Sequence, residues 1–97
     1  MTTRIKRTSA FKRDQKREFK THGVKLDTAL VDVLASLVLG ESLPGKYKNH
    51  LLLGEFEGLS ECHLIPNVLL IYDIINENED DDLIILYRLG SHSELFG

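Results

Sequence analysis

Three imidazoles and one carboxylate hold most of the chemical potential of this chain. His50, Glu61 and His63 fall within residues 46–67, a glycine-punctuated stretch that also carries Lys46 and Lys48, and His92 lies near the C-terminus. Imidazole is the side chain best suited to move protons near neutral pH, so this set suits acid/base catalysis if the fold unites the two regions. In a strand over residues 59–65, alternate side chains share a face. Leu59, Glu61, His63 and Ile65 then point one way and Ser60, Cys62 and Leu64 the other, making Glu61 the neighbour that orients His63. The same alternation groups Arg88 with Ile84 and Leu86, opposite Leu83, Ile85 and Tyr87. An arginine four residues before a histidine suits a phosphate clamp. His22, at the end of a basic helix, reads as structural, since a cation is favoured at a helix C-terminus. A zinc site built from His50 and His63 with Glu61 or Cys62 lacks the short HxxxH or CxxC spacing that such sites use, so no metal and no cofactor are expected.

These residues need a scaffold, and the hydrophobic pattern describes one. A short basic strand over residues 4–8 is followed by a helix that Thr8 or Ser9 caps and that runs to Thr21 or His22. Phe11 and Phe19 are expected on its core face, and Gly23 to stop it. Leu26, Leu30, Val33, Leu34 and Leu37 recur at spacings of three and four, a second amphipathic helix closed by Gly40 and Pro44-Gly45. The two helices should form a hairpin on one face of a sheet. Strands are predicted over residues 51–56, 59–65, 68–75 and 83–89, the last two joined by an acidic loop at residues 76–82 that reads as a solvated turn. The predicted fold is α+β: a short N-terminal strand and a two-helix hairpin packed on a twisted antiparallel sheet, in one domain over residues 1–97.

Composition narrows the function classes. The 97 residues are 42% hydrophobic and 28% charged, ordinary values for a globular domain. A single cysteine forms no internal disulfide, and no apolar run approaches the roughly 18 residues of a membrane span, so a cytoplasmic location without membrane contact is expected. The net charge of −3 hides a polarity. Residues 1–25 hold nine of the twelve Lys and Arg with only Asp14 and Glu18, a balance of +7 that leaves −10 for the rest. Arg4, Lys6, Arg7, Lys12, Arg13 and Lys16 could follow a polyphosphate backbone, or equally form a solvated helix face.

The string Tyr47-Lys48-Asn49-His50, the spacing of Gly54 and Gly58, Glu61 with His63 and Pro66, the Leu70-Ile71-Tyr72 run and the ending from Arg88 through Gly90 and His92 to Phe96-Gly97 resemble YafQ-type toxins of the RelE/ParE superfamily. That resemblance covers the C-terminal half closely. It implies a RelE-like microbial RNase fold and a ribosome-dependent mRNA interferase of a type II toxin–antitoxin system, working without metal by attack of a ribose 2′-hydroxyl on the adjacent phosphate. It implies as partners the ribosome, mRNA and a cognate DinJ/RelB-like antitoxin, with a toxin monomeric alone and hetero-oligomeric with its antitoxin. Carried over by position, His50, Glu61, His63, Arg88, His92 and Phe96 are the active-site residues, with His50 or His63 as base, His92 as acid and Phe96 stacking on a base; Lys46, Lys48 and the N-terminal basic residues contact RNA. Asn67, where the family often has an acid, and Ser60, where it often has a base, depart from the pattern. Asn67 removes a possible proton acceptor, and the acidic sheet half should weaken attraction to an RNA backbone, so weak activity is expected. The competing expectation is a non-catalytic ParE-like toxin acting on a protein target such as gyrase.

Overall fold

Thr8 ends one element and starts the next. Its hydroxyl donates to the Tyr87 carbonyl at 2.8 Å, and the same oxygen accepts the Phe11 backbone N–H at 3.0 Å. The strand β1 (Thr2–Arg7) thereby hands over to the helix α1 (Ser9–Leu39) in a fixed place on the sheet. The computed structural model describes residues 2–78 and 80–97; Glu79 of the acidic loop lies outside the described residues. After α1 come β2 (His50–Leu51), β3 (Ser60–Ile65), β4 (Val68–Asn76), β5 (Asp81–Gly90) and a short terminal helix α2 (His92–Phe96), with single 3-10 turns at Gly45–Tyr47 and Gly54–Phe56. No helix among the described residues is long and apolar enough to cross a membrane.

The expected helical hairpin is present as one helix broken by Gly23, whose φ of 53° and ψ of −132° lie outside helical space. A positive φ of this kind strains any residue with a Cβ. Phe11 and Gln15 before the break and Asp27 and Leu30 after it line one cleft, so the two arms fold back on each other. Phe19 departs from expectation: it is 43% exposed, whereas Asp14 and Glu18 are buried. The inward stripe of the first arm is Phe11, Asp14 and Glu18, at spacings of three and four, and Phe19 falls off its edge.

The five strands form one sheet in the order β1-β5-β4-β3-β2. It is mixed rather than wholly antiparallel, because β1 pairs with β5 in parallel, Ile5 opposite Ile84. The arms of α1 carry the chain from that edge to the opposite one, where β2 begins. The strand expected over 51–56 shrinks to two residues because Gly54 (φ 74°) and Gly58 (φ 91°) turn the chain into a 3-10 turn and a loop. On one face Phe11, Leu26, Leu30 and Val33 bury against Cys62, Leu70, Ile84 and Leu86. The other face holds a second, smaller cluster of Leu52, Leu69, Ile71 and Leu95, so this face is dry enough to anchor α2.

Two tyrosines stake out the stretch that leads to His50. The Tyr47 hydroxyl donates to the Asp32 carboxylate on α1, and the Tyr72 hydroxyl donates to Asn49 Oδ1 at 2.5 Å from β4. Burial, reinforced for Tyr47 by Asp32, pushes both phenols up to about 12, and burial pushes the Cys62 thiol up to about 12. Because the folded state holds these protons more tightly than the unfolded chain, their stabilisation is complete below about pH 9 and is lost as pH climbs toward 12. The urea midpoint is therefore expected to fall steadily between pH 9 and 11.5, and Tyr72→Phe to make that fall shallower.

Candidate active site

The pairing of β2 with β3 sets His50 directly opposite Glu61. His50 Nε2 lies 3.0 Å from Glu61 Oε2, and Nδ1 lies 2.8 Å from the Lys48 carbonyl. With Nδ1–H given to a carbonyl, Nε2 is the nitrogen that shares a proton with the buried carboxylate. Lys48 presents that carbonyl from a left-handed backbone, φ 48° and ψ 49°, an uncommon conformation for a residue with a side chain. The pairing differs from the one alternation suggested. Glu61 and His63 share a strand face, but the carboxylate turns to His50, since a cross-strand partner lies nearer than a neighbour two residues along. His63 stands beside this dyad, its ring centroid 6.3 Å from that of His50.

His92 and Phe96 arrive from the other side on α2. Five residues rarely hold a helix alone. Here Ser91 and Glu94 form a capping box: Glu94 N–H donates to Ser91 Oγ at 3.1 Å and Ser91 N–H donates to Glu94 Oε1 at 2.8 Å. One turn along, the Phe96 ring lies 4.8 Å from His92 and makes an edge contact with Phe56 at 5.4 Å. His63, Asn67 and His92 line a single cleft of about 290 Å³ together with Pro66, Ser91 and Ser93. The strand β3 and the start of α2 thus bring two histidines from distant parts of the chain to one space.

Arg88 takes its facing from an irregularity. Ile71 pairs with Arg88 but Tyr72 pairs with Leu86, so Tyr87 is an extra residue, a β-bulge. The bulge takes Arg88 out of the alternation that grouped it with Ile84 and Leu86 and sets it opposite Ile71, a member of the smaller cluster. Its Nε donates to Asp14 Oδ2 at 2.7 Å and Nη2 to Oδ1 at 3.3 Å, which leaves three of its five N–H groups for another ligand. The hydrogen bond and charge of Asp14 raise the Arg88 pKa above its ordinary value, fixing the cation. Asp14 is 3% exposed and also accepts the Leu89 backbone N–H at 3.0 Å. Arg17 completes the network, with Nη1 3.2 Å from Asp14, Nε 3.0 Å from Glu94, and Nη2 3.3 Å from the Leu89 carbonyl. Gly90 lies close under this crossing: a Cβ there would meet Arg17 Nη2 at 3.0 Å and Glu94 Oε1 at 3.3 Å, so both side-chain ends would have to shift by a few tenths of an ångström.

Asp14, Arg17 and Glu94 are positioning residues that the sequence reading missed. Their only signal was a carboxylate at the helical spacing of a buried Phe. Burial, then the adjoining Glu94 carboxylate, raises the Glu18 pKa, while the backbone hydrogen bond from Ser91 lowers that of Glu94. The basic residues divide. Lys46 and Lys48 line a cavity with His63. Arg4 pairs with Glu77, Arg7 donates to Gln15 at 3.0 Å, and Arg7, Lys12 and Lys16 line a separate cavity around Phe19 that shares no residue with the histidine cleft. Lys6 and Arg13 are exposed on β1 and α1. Among the described residues no three His, Cys, Asp or Glu side chains converge with metal-ligand spacing. Cys62 is in the core, on the far face from Glu61.

A mixed sheet backed by a broken helix, with imidazoles from β3 and from a capped terminal turn lining one cleft, defines a small α+β toxin-like fold with a histidine-lined cleft. The sequence matches, over residues 3–97, the family described as "Bacterial toxin of type II toxin-antitoxin system, YafQ". It is 30% identical over 95 residues to the mRNA interferase toxin YafQ of Escherichia coli K12, covering 96% of this chain and 95% of that one. Among solved structures, the metal-bound toxin from Helicobacter pylori superposes with a TM-score of 0.82 at 39% identity, over 96% of this chain and 98% of that one. The E. coli DinJ–YafQ complex contains a chain with a TM-score of 0.78 at 29% identity, over 96% and 97%. The chain belongs to the YafQ family of type II toxin–antitoxin toxins.

Two outcomes test the network under the site. Asp14→Ala leaves Arg88 and the Leu89 N–H without their buried acceptor and is expected to cost about 3 kcal/mol in urea unfolding. Glu18→Gln removes a buried charge that the raised pKa disfavours. It should stabilise the protein more at pH 8 than at pH 4, where the native carboxyl is already protonated, as read from urea midpoints at the two pH values.

Proposed function

We propose that this chain is an mRNA interferase: a ribosome-dependent endoribonuclease, active as one domain over residues 1–97 and working by metal-independent acid/base catalysis. The observation that carries the reading is the convergence of His63 and His92 on one cleft, with Phe96 against His92. A 2′-hydroxyl attacking its neighbouring phosphate needs a base for its proton, an acid for the departing 5′-oxygen and positive charge on the phosphoryl oxygens. His63 has the base's place and His92 the acid's. Both nitrogens of His50 are already engaged, by Lys48 and Glu61, so the His50–Glu61 dyad serves as a fixed polar wall beside His63. Arg88, held by Asp14, offers its remaining N–H groups to the phosphate, and Phe96 offers a ring for a base to stack on. Lys46 and Lys48, followed by the N-terminal basic residues, supply contacts to mRNA and ribosome.

The structure of E. coli YafQ with DinJ supports a DinJ/RelB-like antitoxin as partner, in a cytoplasmic hetero-oligomer from which the toxin is released. In a translating extract the antitoxin-free protein is expected to cut mRNA with EDTA present. His63→Ala and His92→Ala should each lower the rate by about 10²- to 10⁴-fold, and the double variant by less than the product. A double variant as active as the wild type would sink the catalytic assignment. Intact mRNA together with a supercoiling defect on expression would instead favour a toxin directed at gyrase.

A further inference from the structure

Beside the histidine cleft lies a second, roomier cavity. It measures about 760 Å³ and lies between the second arm of α1 and the 3-10 turn at Gly45–Tyr47. His63 and Pro66 line both spaces, so they form the wall that separates and joins them. A chain laid across His63 therefore has this second cavity immediately beside it. The volume lies within the roughly 300–1,000 Å³ range of small-molecule sites, enough for a nucleotide.

Its chemistry suits the same polymer. Lys25 stands on the α1 side and Lys46 and Lys48 on the other. Asp32 is the carboxylate among the lining residues, and it is occupied by the Tyr47 hydroxyl. The remaining surface includes Ala29, Leu64 and Ile65, apolar ground for a sugar or base. We infer that this cavity is a second nucleotide subsite, which takes the RNA nucleotide next to the cleaved pair, with Lys25, Lys46 and Lys48 on its phosphates. The inference rests on the ribonuclease reading and adds Lys25 to the RNA-contacting residues. An acidic protein segment is the other occupant such a cavity could take. The wall shared with His63 favours RNA, because the polymer that reaches the histidines is already at its mouth.

The test uses the antitoxin-free toxin and two non-cleavable 2′-O-methyl RNAs, a dinucleotide and a tetranucleotide, followed by NMR and by affinity against salt concentration. Both RNAs should shift His63 and His92, and only the tetranucleotide should also shift Lys25, Lys46 and Lys48. Lys25→Ala should weaken the tetranucleotide about fivefold and reduce its log–log salt slope by about 0.7, with the dinucleotide unchanged. The subsite is overturned if the tetranucleotide moves His92 but not Lys25 or Lys48, or if Lys25→Ala weakens both RNAs equally or neither. It is overturned as well if an acidic peptide from the antitoxin fills the cavity while RNA leaves it undisturbed. If neither RNA moves His63 or His92, the ribonuclease reading itself fails.

Discussion

A buried carboxylate closes the gap that the short first strand leaves. β1 ends at Arg7, opposite Leu86, so β5 runs on past its only parallel neighbour with backbone groups facing no strand. Buried N–H and C=O groups need partners, and α1 supplies them from side chains. Thr8 donates to the Tyr87 carbonyl, Asp14 accepts the Leu89 N–H and Arg17 donates to the Leu89 carbonyl. Asp14 is the member of this set that also fixes Arg88. The helix thus does the work of a missing strand over the very residues that lead into α2.

This arrangement explains how a five-residue helix can hold the His92 imidazole still. α2 has its own capping box, a hydrophobic foot in Leu95 and an ion pair from Glu94 to Arg17. A surface ion pair contributes little by itself. In this case Arg17 is gripped on several sides at once, by Asp14, Glu94 and the Leu89 carbonyl. Much of the rotamer freedom that weakens an isolated pair is therefore already spent. His50 is fixed by different means, a cross-strand carboxylate and a carbonyl turned toward it by left-handed backbone.

The helices and the antiparallel run of β3, β4 and β5 could be read from periodicity, because burial of one face dictates spacing over many residues; the parallel place of β1 could not. Leu26, Leu30, Val33 and Leu37 behave as that rule requires. What could not be read depends on single residues acting across the fold. No local pattern announces the extra residue at Tyr87, yet it decides which side of the sheet Arg88 serves. A helical wheel favours Phe19 for the core, and only the need of β5 for an acceptor explains why Asp14 is buried instead. Glu61 was correctly placed on the face of His63, but its choice of His50 depends on strand register, and register is set by a two-residue strand that β-propensity does not single out.

The contact between Asp14 and Arg88 spans 74 positions of sequence, and that between Thr8 and Tyr87 spans 79. Contacts so far apart form late in folding, since the loop between them must close first. In chain order the helix comes before most of the sheet, with Asp14 and Glu18 preceding their partners. His63 can then be in place well before His92, and the two meet only after the β5 edge has locked onto α1. The cleft between the two histidines is therefore assembled late, a delay written into the topology.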